Sequence, residues 1–275
     1  MKNILITGGT GFLGRELIKR IYAKETIPKI TVLARNEGKL IYLKLQYPNI
    51  KIITGAVEDK CIAEKACKGI DTIYHLAAFK HVGLAETQTY QCWMSNVLGT
   101  HNLLKYFKGS LFVAISTDKA AKVQGVYGAS KYIMEKLIEE RSLVDTDAKY
   151  VVPRYGNVIG STGSVIPKWI DICKNNKEMI ITDSKGTRFF FTVSDAIDLI
   201  FEAIEKGKNG KPYIKEMKSC FISTLAKVIQ MKYGKPSKIA QIGLQPGENK
   251  HEYLNDEYNS RDADKFTLDE LIEMI

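Results

Sequence analysis

Up to about residue 156, the chain alternates between two hydrophobic patterns. Short apolar or β-branched runs predict strands, and the stretches between them carry apolar residues at helical spacing. The predicted strands are residues 4–7, 30–33, 50–54, 72–76, 111–115 and 150–155. The predicted helices are residues 12–23, 39–46, 59–67, 96–107 and 127–141. This alternation predicts an α/β fold in which helices cover both faces of a parallel sheet.

The pattern changes after Gly156, where glycines, prolines and short mixed segments become frequent. Helices are still predicted at residues 165–175, 193–206 and 225–232. We expect this part to form a smaller lobe at the carboxyl edge of the sheet.

Composition removes several function classes. Hydrophobic residues make up 45% of the chain, enough for a large core, yet no apolar run is long enough to predict a membrane-spanning helix. The first residues lack the zones of a signal peptide, so we expect a cytoplasmic protein. The net charge of +9 comes without basic runs interleaved with aromatics, which speaks against a nucleic-acid partner. Five scattered cysteines predict neither disulfides nor a metal site.

A glycine-rich loop follows the first predicted strand and opens the first helix. Its glycines Gly8, Gly11 and Gly14 have the spacing that lets a pyrophosphate approach the N–H groups of a helix N-terminus. The predicted cofactor contacts in this loop are Gly8, Thr10, Gly11, Phe12, Leu13 and Gly14. The loop makes the fold a Rossmann-type doubly wound sheet, with residues 1–156 as the NADP-binding domain that also carries the catalytic residues. Residues 157–275 are mostly a C-terminal substrate-binding lobe, with parts returning to the sheet.

The end of the second strand distinguishes the two nicotinamide cofactors. NAD enzymes usually place an acid there for the ribose hydroxyls, whereas this chain has Arg35, with Lys39 one turn later. A guanidinium fits a 2′-phosphate, so NADP is favoured over NAD; the alternative is that Arg35 is a solvated loop charge.

The densest chemistry lies between residues 116 and 131. Tyr127 and Lys131 lie four apart on one predicted helix, and the ammonium is expected to lower the pKa of the phenol. Tyr127 would then take a proton from a hydroxyl while hydride leaves the same carbon. Asp118 and Lys119 follow a strand end, where such sheets bind ligands; the alternative is a surface ion pair.

These motifs resemble the extended short-chain dehydrogenases/reductases. The resemblance rests on the glycine loop, His75 to Ala78, Asn96 in its Ser-Asn-Val-Leu-Gly-Thr context, the Tyr127/Lys131 pair and residues 153–157. It implies that Thr117 binds the reacting oxygen and that Lys131 also holds the nicotinamide ribose. It also implies that Ala77 and Ala78 line the cofactor, with Lys80 and Asn96 as further cofactor-side residues.

The resemblance narrows to the inverting UDP-N-acetylglucosamine 4,6-dehydratases of the polysaccharide-biosynthesis proteins. It rests on residues 116–121, 154–158, 163–167, 187–189 and 246–252, and on Lys80. The substrate-binding residues expected on this basis are Lys80, Asn157, Val165, Arg188, Gln245 and Glu248. Arg188 is the candidate phosphate contact because its fork binds phosphate in a bidentate way.

The implied reaction is a dehydration at C5 and C6 of a nucleotide sugar. Tyr127 removes the C4 hydroxyl proton, Lys119 in its neutral form removes the C5 proton, and protonated Asp118 donates to the departing C6 hydroxyl. Because NADP is regenerated, the enzyme would be a lyase that makes a UDP-4-keto-6-deoxy sugar for surface glycans.

The chain departs from this pattern at Gln245, where the family has an arginine, and at Thr162, where a basic residue is common. Both departures weaken the expected diphosphate contacts. Alternatives are therefore one partner of a two-enzyme dehydration, a 4-epimerase or 4-keto reductase, and an NADP-binding regulator without catalysis. A homo-oligomer is expected because family members pair through helices that match residues 96–107 and 127–141.

Overall fold

The strands of the protein were located in a computed structural model that describes residues 2–161, 163–236 and 238–275. In chain order they are β1 Asn3–Thr7, β2 Lys29–Ala34, β3 Lys51–Thr54, β4 Thr72–His75, β5 Leu111–Ala114, β6 Ser116–Thr117, β7 Lys149–Tyr155, β8 Asn157–Val158, β9 Glu178–Ile181, β10 Thr187–Phe191, β11 Pro212–Tyr213, β12 Ser219–Phe221 and β13 Lys238–Gln241.

The helices connect these strands and cover both faces of the main sheet. They are α1 Phe12–Tyr22, α2 Glu37–Gln46, α3 Lys60–Cys67, α4 Val82–Thr87, α5 Thr89–Trp93, α6 Gly99–Tyr106, α7 Val126–Val144, α8 Val165–Lys174, α9 Val193–Lys206, α10 Ile222–Tyr233 and α11 Leu268–Met274. A π-helical segment, Met94–Leu98, joins α5 to α6, and a 3-10 turn, Asp118–Ala120, follows β6.

The main sheet is parallel and doubly wound, as the sequence predicts. Its strand order is β11-β7-β5-β4-β1-β2-β3, and β6 extends the pairing of β7. The direction in which successive strands are added reverses between β1 and β4, so this pair of strands is the topological switch point of the sheet. Ligands bind at such a switch point in open α/β sheets.

Alternating residues of the strands form two cores, one on each face of the sheet. Leu5, Leu33 and Phe112 pack with the helices α3, α6 and α7. Ile6 and Val32 point the other way and pack with α1, α2 and α9. The alternation follows from the period of two in a strand, and its burial on both faces explains why the strands read as continuous apolar runs.

The C-terminal half forms a second layer with its own core. The three strands β12, β10 and β8 make one small sheet, and β13 and β9 make another. Trp169, Phe190 and Leu225 lie in the core between α8 and α10. In contrast, α9 and β11 join the main sheet: α9 buries Ile197 and Ile200 against it, and β11 pairs with β7.

The sequence missed α4, α5 and the short strands after residue 156, and residues 96–98 at the start of the predicted helix 96–107 are π-helical. α4 and α5 are too short to show a helical period, and β8, β11 and β12 have two or three residues each. Pairing with distant strands, not local propensity, makes these three strands regular.

Candidate functional site

The loop between β1 and α1 forms a cradle for phosphate groups. Gly8 has a φ of +69°, and a Cβ there would lie 2.8 Å from Ala77 N. A Cβ at Gly14 would lie 2.5 Å from Gly9 Cα, so only glycine lets the helix pass this close to the loop. Gly11 is the N-cap of α1 and provides no side-chain cap. The N–H groups of the first turn therefore suit an anionic group.

The other predicted contacts of the cofactor loop surround this cradle. Thr10, Phe12 and Leu13 are half-buried, and the Phe12 ring lies 3.5 Å from where a Cβ at Gly160 would be. Arg35 follows the last residue of β2 and is exposed at the carboxyl edge of the sheet. Its position agrees with a role near the adenine ribose.

His75 fixes the end of β4 beside this loop. Its Nδ1 lies 2.7 Å from Thr7 Oγ1, and its Nε2 lies 3.0 Å from Thr100 Oγ1. Because the Thr100 hydroxyl donates to Asn96 O at 2.7 Å, Nε2 must be the nitrogen that carries the proton. Burial, with a smaller effect of Lys131, lowers the pKa of His75 to about 3. The ring is thus a neutral connector of β1, β4 and α6.

Asn96 holds the loop that contains the predicted cofactor residues Ala77 and Ala78. Its Oδ1 accepts from Phe79 N at 2.7 Å, and its Nδ2 donates to Phe79 O and to Ser130 Oγ, both at 2.9 Å. The π-helical segment places this amide between the loop and α7. Its amide is thus committed to protein groups and supports the cofactor loop from behind.

Asp118 and Lys119 form a buried ion pair at the carboxyl end of β6. Lys119 Nζ donates to Asp118 Oδ1 at 3.0 Å, and Thr117 Oγ1 donates to the same oxygen at 2.9 Å. The Asp118 side chain is 1% exposed, and its Oδ2 has no hydrogen-bond partner among the described residues. Burial raises the pKa of Asp118, and the charge of Lys119 opposes this effect.

The pKa of Lys119 is raised, not lowered as a catalytic base requires. Burial alone would lower it, but the carboxylates of Asp118 and Glu252 outweigh burial. The ammonium is therefore the stable form in this arrangement. The direction found for Asp118 agrees with a proton donor, whereas Lys119 must lose a strongly held proton before it can act as a base.

Tyr127 opens α7 beside this pair, but its pKa does not follow the expected direction. Burial raises the pKa of Tyr127 to about 12, while the charge of Lys119 and a hydrogen bond with Thr117 act in the opposite sense. The expectation that Lys131 lowers this pKa is wrong for this arrangement, because the ammonium that acts on the phenol is that of Lys119.

Lys131 lies four residues after Tyr127 and is buried. Its Nζ lies 2.9 Å from Met134 Sδ, and burial lowers its pKa to about 8 despite the opposing charge of Glu135. A sulfur is a weak acceptor, so the ammonium is poorly satisfied. The contact of Lys131 with the nicotinamide ribose stays a prediction.

Glu252 belongs to this cluster although sequence reasoning gave it no role. Its Oε1 lies 3.3 Å from Lys119 Nζ and 3.6 Å from Arg188 Nε, and its side chain is 1% exposed. The only signal was the His251-Glu252 pair after the Pro-Gly-Glu turn, which nothing in the sequence connects to Lys119.

Arg188 is predicted to contact a substrate phosphate, but its guanidinium points towards protein groups. Its Nη1 donates to Thr187 O at 2.9 Å and to Lys250 O at 3.1 Å, while its Nε faces Glu252. The side chain is 11% exposed. Its fork is thus largely engaged by protein groups.

The remaining predicted substrate residues lie in three different elements or loops. Asn157 Nδ2 donates to Phe189 O at 3.1 Å, and the half-buried Val165 begins α8. Lys80 is exposed after β4, and Thr162 lies outside the described residues. Their contacts with a substrate stay a prediction.

The turn with Gln245 and Glu248 is seated against the start of α7. Gln245 N donates to Glu248 Oε2 at 3.1 Å, so the glutamate holds its own turn. A Cβ at Gly125 would lie 2.5 Å from Gly247 Cα and 2.4 Å from Glu86 Oε1. Glu86 also accepts from the first N–H of α7 at 2.8 Å. This contact brings the turn close to Tyr127.

Comparison with known proteins identifies the family. The sequence profile described as "Polysaccharide biosynthesis protein" matches residues 4–271. The chain belongs to this family. A family member from Rickettsia bellii, named UDP-glucose 4-epimerase, is 35% identical over 263 residues, which are 92% of this chain and 77% of that protein. The chain is thus a relative of nucleotide-sugar-modifying enzymes, and its resemblance to the extended short-chain dehydrogenases/reductases is confirmed.

Solved structures confirm the fold over the whole chain. Pen from Bacillus thuringiensis has a TM-score of 0.92 at 29% identity and covers 100% of this chain and 96% of its own. DesIV from Streptomyces venezuelae, a dTDP-glucose 4,6-dehydratase with NAD bound, has a TM-score of 0.83 at 18% identity and covers 99% of this chain and 95% of its own. At that identity DesIV supports the fold alone.

Among residues 2–161, 163–236 and 238–275, no helix is long and apolar enough to cross a membrane. The same residues include no group of three or more His, Cys, Asp or Glu side chains arranged to hold a metal ion.

Proposed function

We propose that this family member is an NADP-dependent nucleotide-sugar 4,6-dehydratase. Its expected substrate is UDP-N-acetylglucosamine, and its product is a UDP-4-keto-6-deoxy sugar inverted at C5, for surface glycans. The observation that carries the proposal is the buried Asp118–Lys119 pair, 3.0 Å apart beside Tyr127. Removal of water needs a proton donor and a proton acceptor in addition to the phenol, and simple C4 epimerisation does not.

The glycine loop fits a dinucleotide because there is no room for a side chain at Gly8 or at Gly14. A Cβ at Gly8 or Gly14 would collide with backbone atoms, and the first turn of α1 has free N–H groups. Bound NADP would supply the hydride acceptor for C4 and return the hydride at C6. Arg35 would bind the 2′-phosphate, and Lys131 would hold the nicotinamide ribose.

Three side chains would move the protons of the reaction. Tyr127, with Thr117 beside it, would take the C4 hydroxyl proton. Lys119 would take the C5 proton, which is acidic once C4 is a ketone, after it has passed its own proton to Asp118, whose Oδ1 lies 3.0 Å from its Nζ. When hydride returns to C6, a solvent-derived proton added to the opposite face would restore the C5–H bond with inversion. Asp118 would protonate the leaving C6 hydroxyl, and its raised pKa suits that role. Each such transfer contributes about 10²- to 10⁴-fold to the rate.

A 4-epimerase is the second candidate because the Rickettsia bellii relative carries that name at 35% identity. Both reactions begin with removal of the C4 hydrogen, so Tyr127 and the cofactor loop serve either one. The two differ in what Asp118 and Lys119 do after that step.

One incubation separates the candidates. Purified protein is mixed with NADP and UDP-N-acetylglucosamine in deuterated water, and the product is followed by mass spectrometry and NMR. The dehydratase predicts loss of one water with deuterium at C5. An unchanged mass with a new C4 configuration identifies the epimerase instead. If UDP-N-acetylglucosamine is not turned over, a second incubation supplies a dehydrated UDP-sugar intermediate. Turnover of this intermediate alone identifies a partner in a two-enzyme dehydration, and NADP binding without turnover of either sugar identifies a regulator.

The cofactor choice has its own test in Arg35. Arg35→Asp is expected to weaken NADP binding by roughly 10- to 100-fold, because a charged hydrogen bond contributes about 1.5–3 kcal/mol, and to spare NAD. Calorimetric titration of both cofactors measures this. Lys65→Asp, the same kind of charge reversal at an exposed site on α3, is the control. Equal loss of NADP and NAD affinity would contradict the assignment.

A further inference from the structure

Glu252 connects the C-terminal lobe to the catalytic pair. It lies far along the chain from Lys119, yet its carboxylate reaches Lys119 Nζ at 3.3 Å in a buried environment. Asp118 holds the other side of the same ammonium at 3.0 Å. Lys119 is therefore held between two carboxylates, one from the Rossmann sheet and one from the lobe.

Several neighbours fix the position of the Glu252 carboxylate. Asn249 Nδ2 donates to its Oε2 at 3.3 Å, and Arg188 Nε faces its Oε1 at 3.6 Å. Its backbone N–H donates to Ser260 Oγ at 2.8 Å. A group with this many buried partners has a defined orientation, unlike the two ends of a surface ion pair.

A second buried ion pair fixes the backbone next to Glu252. Arg154 binds Glu135 through Nε at 2.9 Å and through Nη2 at 2.6 Å, and its Nη1 donates to Leu254 O at 2.6 Å. Leu254 is two residues after Glu252. The main sheet and α7 thus hold the segment that delivers the carboxylate to Lys119.

We propose that Glu252 is a positioning residue of the C-terminal lobe that orients the Lys119 ammonium and stabilises its positive charge. The role of Lys119 in turnover rests on the proposed dehydration, but the contact with Glu252 does not. Glu252 is not itself assigned a contact with the sugar.

The sign of the effect follows from the charges that face Lys119. Asp118 and Glu252 favour its ammonium, Arg188 opposes it, and the Tyr127 phenol lies beside it. The pKa of Glu252 is lowered because Lys119 and Arg188 outweigh its burial, so its carboxylate is ionised. Loss of that charge removes one of the two groups that keep Lys119 protonated, and its pKa must fall.

The first experiment measures Lys119 directly and needs no substrate. The protein is labelled with ¹⁵N at lysine Nζ, and the Lys119 signal is assigned by its loss in Lys119→Arg. In Glu252→Gln, the titration midpoint of Lys119 is expected to fall by at least about one pH unit, because a nearby opposite charge shifts a pKa by about 1–3 units. A midpoint equal to that of the wild type would overturn the proposal.

Two further variants keep this measurement decisive. Glu257→Gln makes the same change at an exposed position of the same segment and is expected to leave the midpoint unchanged. Glu252→Asp keeps the charge with a shorter side chain. It is expected to retain most of the raised midpoint, and it serves if Glu252→Gln does not fold. A midpoint as low in Glu252→Asp as charge removal predicts would refute the charge-based role.

The second experiment connects the contact to turnover. In the wild type and Glu252→Gln, kcat is followed against pH with UDP-N-acetylglucosamine. The limb that reports Lys119 is expected to move to lower pH in the variant by the shift seen with NMR. Equal loss of kcat at every pH, without movement of the limb, would reduce Glu252 to a structural role. A wild type that turns over no nucleotide sugar would refute the proposed function, while the NMR result would still decide the contact.

Discussion

At the residue scale, the protein combines chemistry at a few buried side chains with protonation states that their neighbours set. Asp118 and Lys119 are adjacent in sequence, yet different neighbours decide their protonation. Burial raises the pKa of Asp118, whereas the carboxylates of Asp118 and Glu252 outweigh burial at Lys119 and keep its amine charged. Tyr127 is likewise a phenol whose burial keeps it protonated. Bound ligands and charge movement must therefore change these states before the reaction proceeds.

Lys119→Ala gives the residue-scale prediction. The variant is expected to lose 10²- to 10⁴-fold in the rate of sugar dehydration, because it removes the proton acceptor for C5, while NADP affinity stays within about two-fold. Stopped assays by mass spectrometry and a cofactor titration measure the two quantities. Lys136→Ala removes an exposed lysine of α7 and serves as the control. Unchanged turnover in Lys119→Ala would remove this residue from the mechanism.

At the element scale, two contacts hold the glycine loop and the end of β4 together. One is the close approach of the Gly8 and Ala77 backbones, and the other is a neutral histidine, His75. Gly8 places β1 against the loop after β4, and His75 ties β1, β4 and α6 through two threonines. These contacts hold together the strand ends next to the glycine loop.

Gly8→Ala tests the first of these contacts. The new Cβ would lie 2.8 Å from Ala77 N at a φ of +69°, so it adds collision to backbone strain. We expect a loss of stability of about 1–3 kcal/mol and at least a ten-fold loss of NADP affinity. Gly69→Ala is a matched control, since Gly69 has the same φ of +69° and nothing within 4 Å of the new atom. Equal losses of stability and NADP affinity in both variants would contradict the conclusion that crowding against Ala77 requires glycine at position 8.

His75 predicts how stability depends on pH. Its pKa of about 3 in the folded protein lies below the unfolded value of about 6.5, so the unfolded chain binds more protons between these values. Stability from His75 is therefore complete above about pH 6.5 and is lost as the pH falls, by up to about 1.4 kcal/mol per pH unit. Urea unfolding of the wild type and His75→Gln between pH 5 and 7.5 measures the difference.

The control for this measurement is a histidine on α6, the helix that His75 contacts through Thr100. His101 lies on α6, one residue after Thr100, and is exposed. His101→Gln is expected to keep the slope of the wild type. A slope in His75→Gln as steep as that of the wild type would show that His75 is not the neutral group inferred from its hydrogen bonds.

At the scale of the whole molecule, a buried ion pair of the Rossmann half also holds the C-terminal segment through a hydrogen bond from its arginine. Arg154 on β7 binds Glu135 on α7 and reaches Leu254 in the C-terminal segment. Ser116 also donates to Glu135, so the network extends to the strand before the catalytic turn. The lobe and the sheet therefore share a polar contact close to Glu252.

Arg154→Met tests this connection. It leaves Glu135 buried without its partner, and we expect a loss of stability of about 3–5 kcal/mol in urea unfolding. The double variant Arg154→Met/Glu135→Leu is expected to recover much of that loss, because it removes the unpaired charge as well. Lys238→Met breaks an exposed pair between β13 and β9 and should change stability little. A single variant as stable as the wild type would show that the Arg154–Glu135 pair does not contribute to stability as its burial implies.

The sequence alone determined the parallel sheet, the glycine loop and the chemical character of residues 116–131. These features are local: a period of hydrophobicity, a spacing of glycines, and reactive side chains close together in the chain. Glu252 and the directions of the pKa shifts came only from the tertiary structure. The charge and burial around Lys119 depend on a carboxylate that the fold brings from the far end of the chain. Electrostatic environment is a property of neighbours in space, and a pattern along the sequence does not record them.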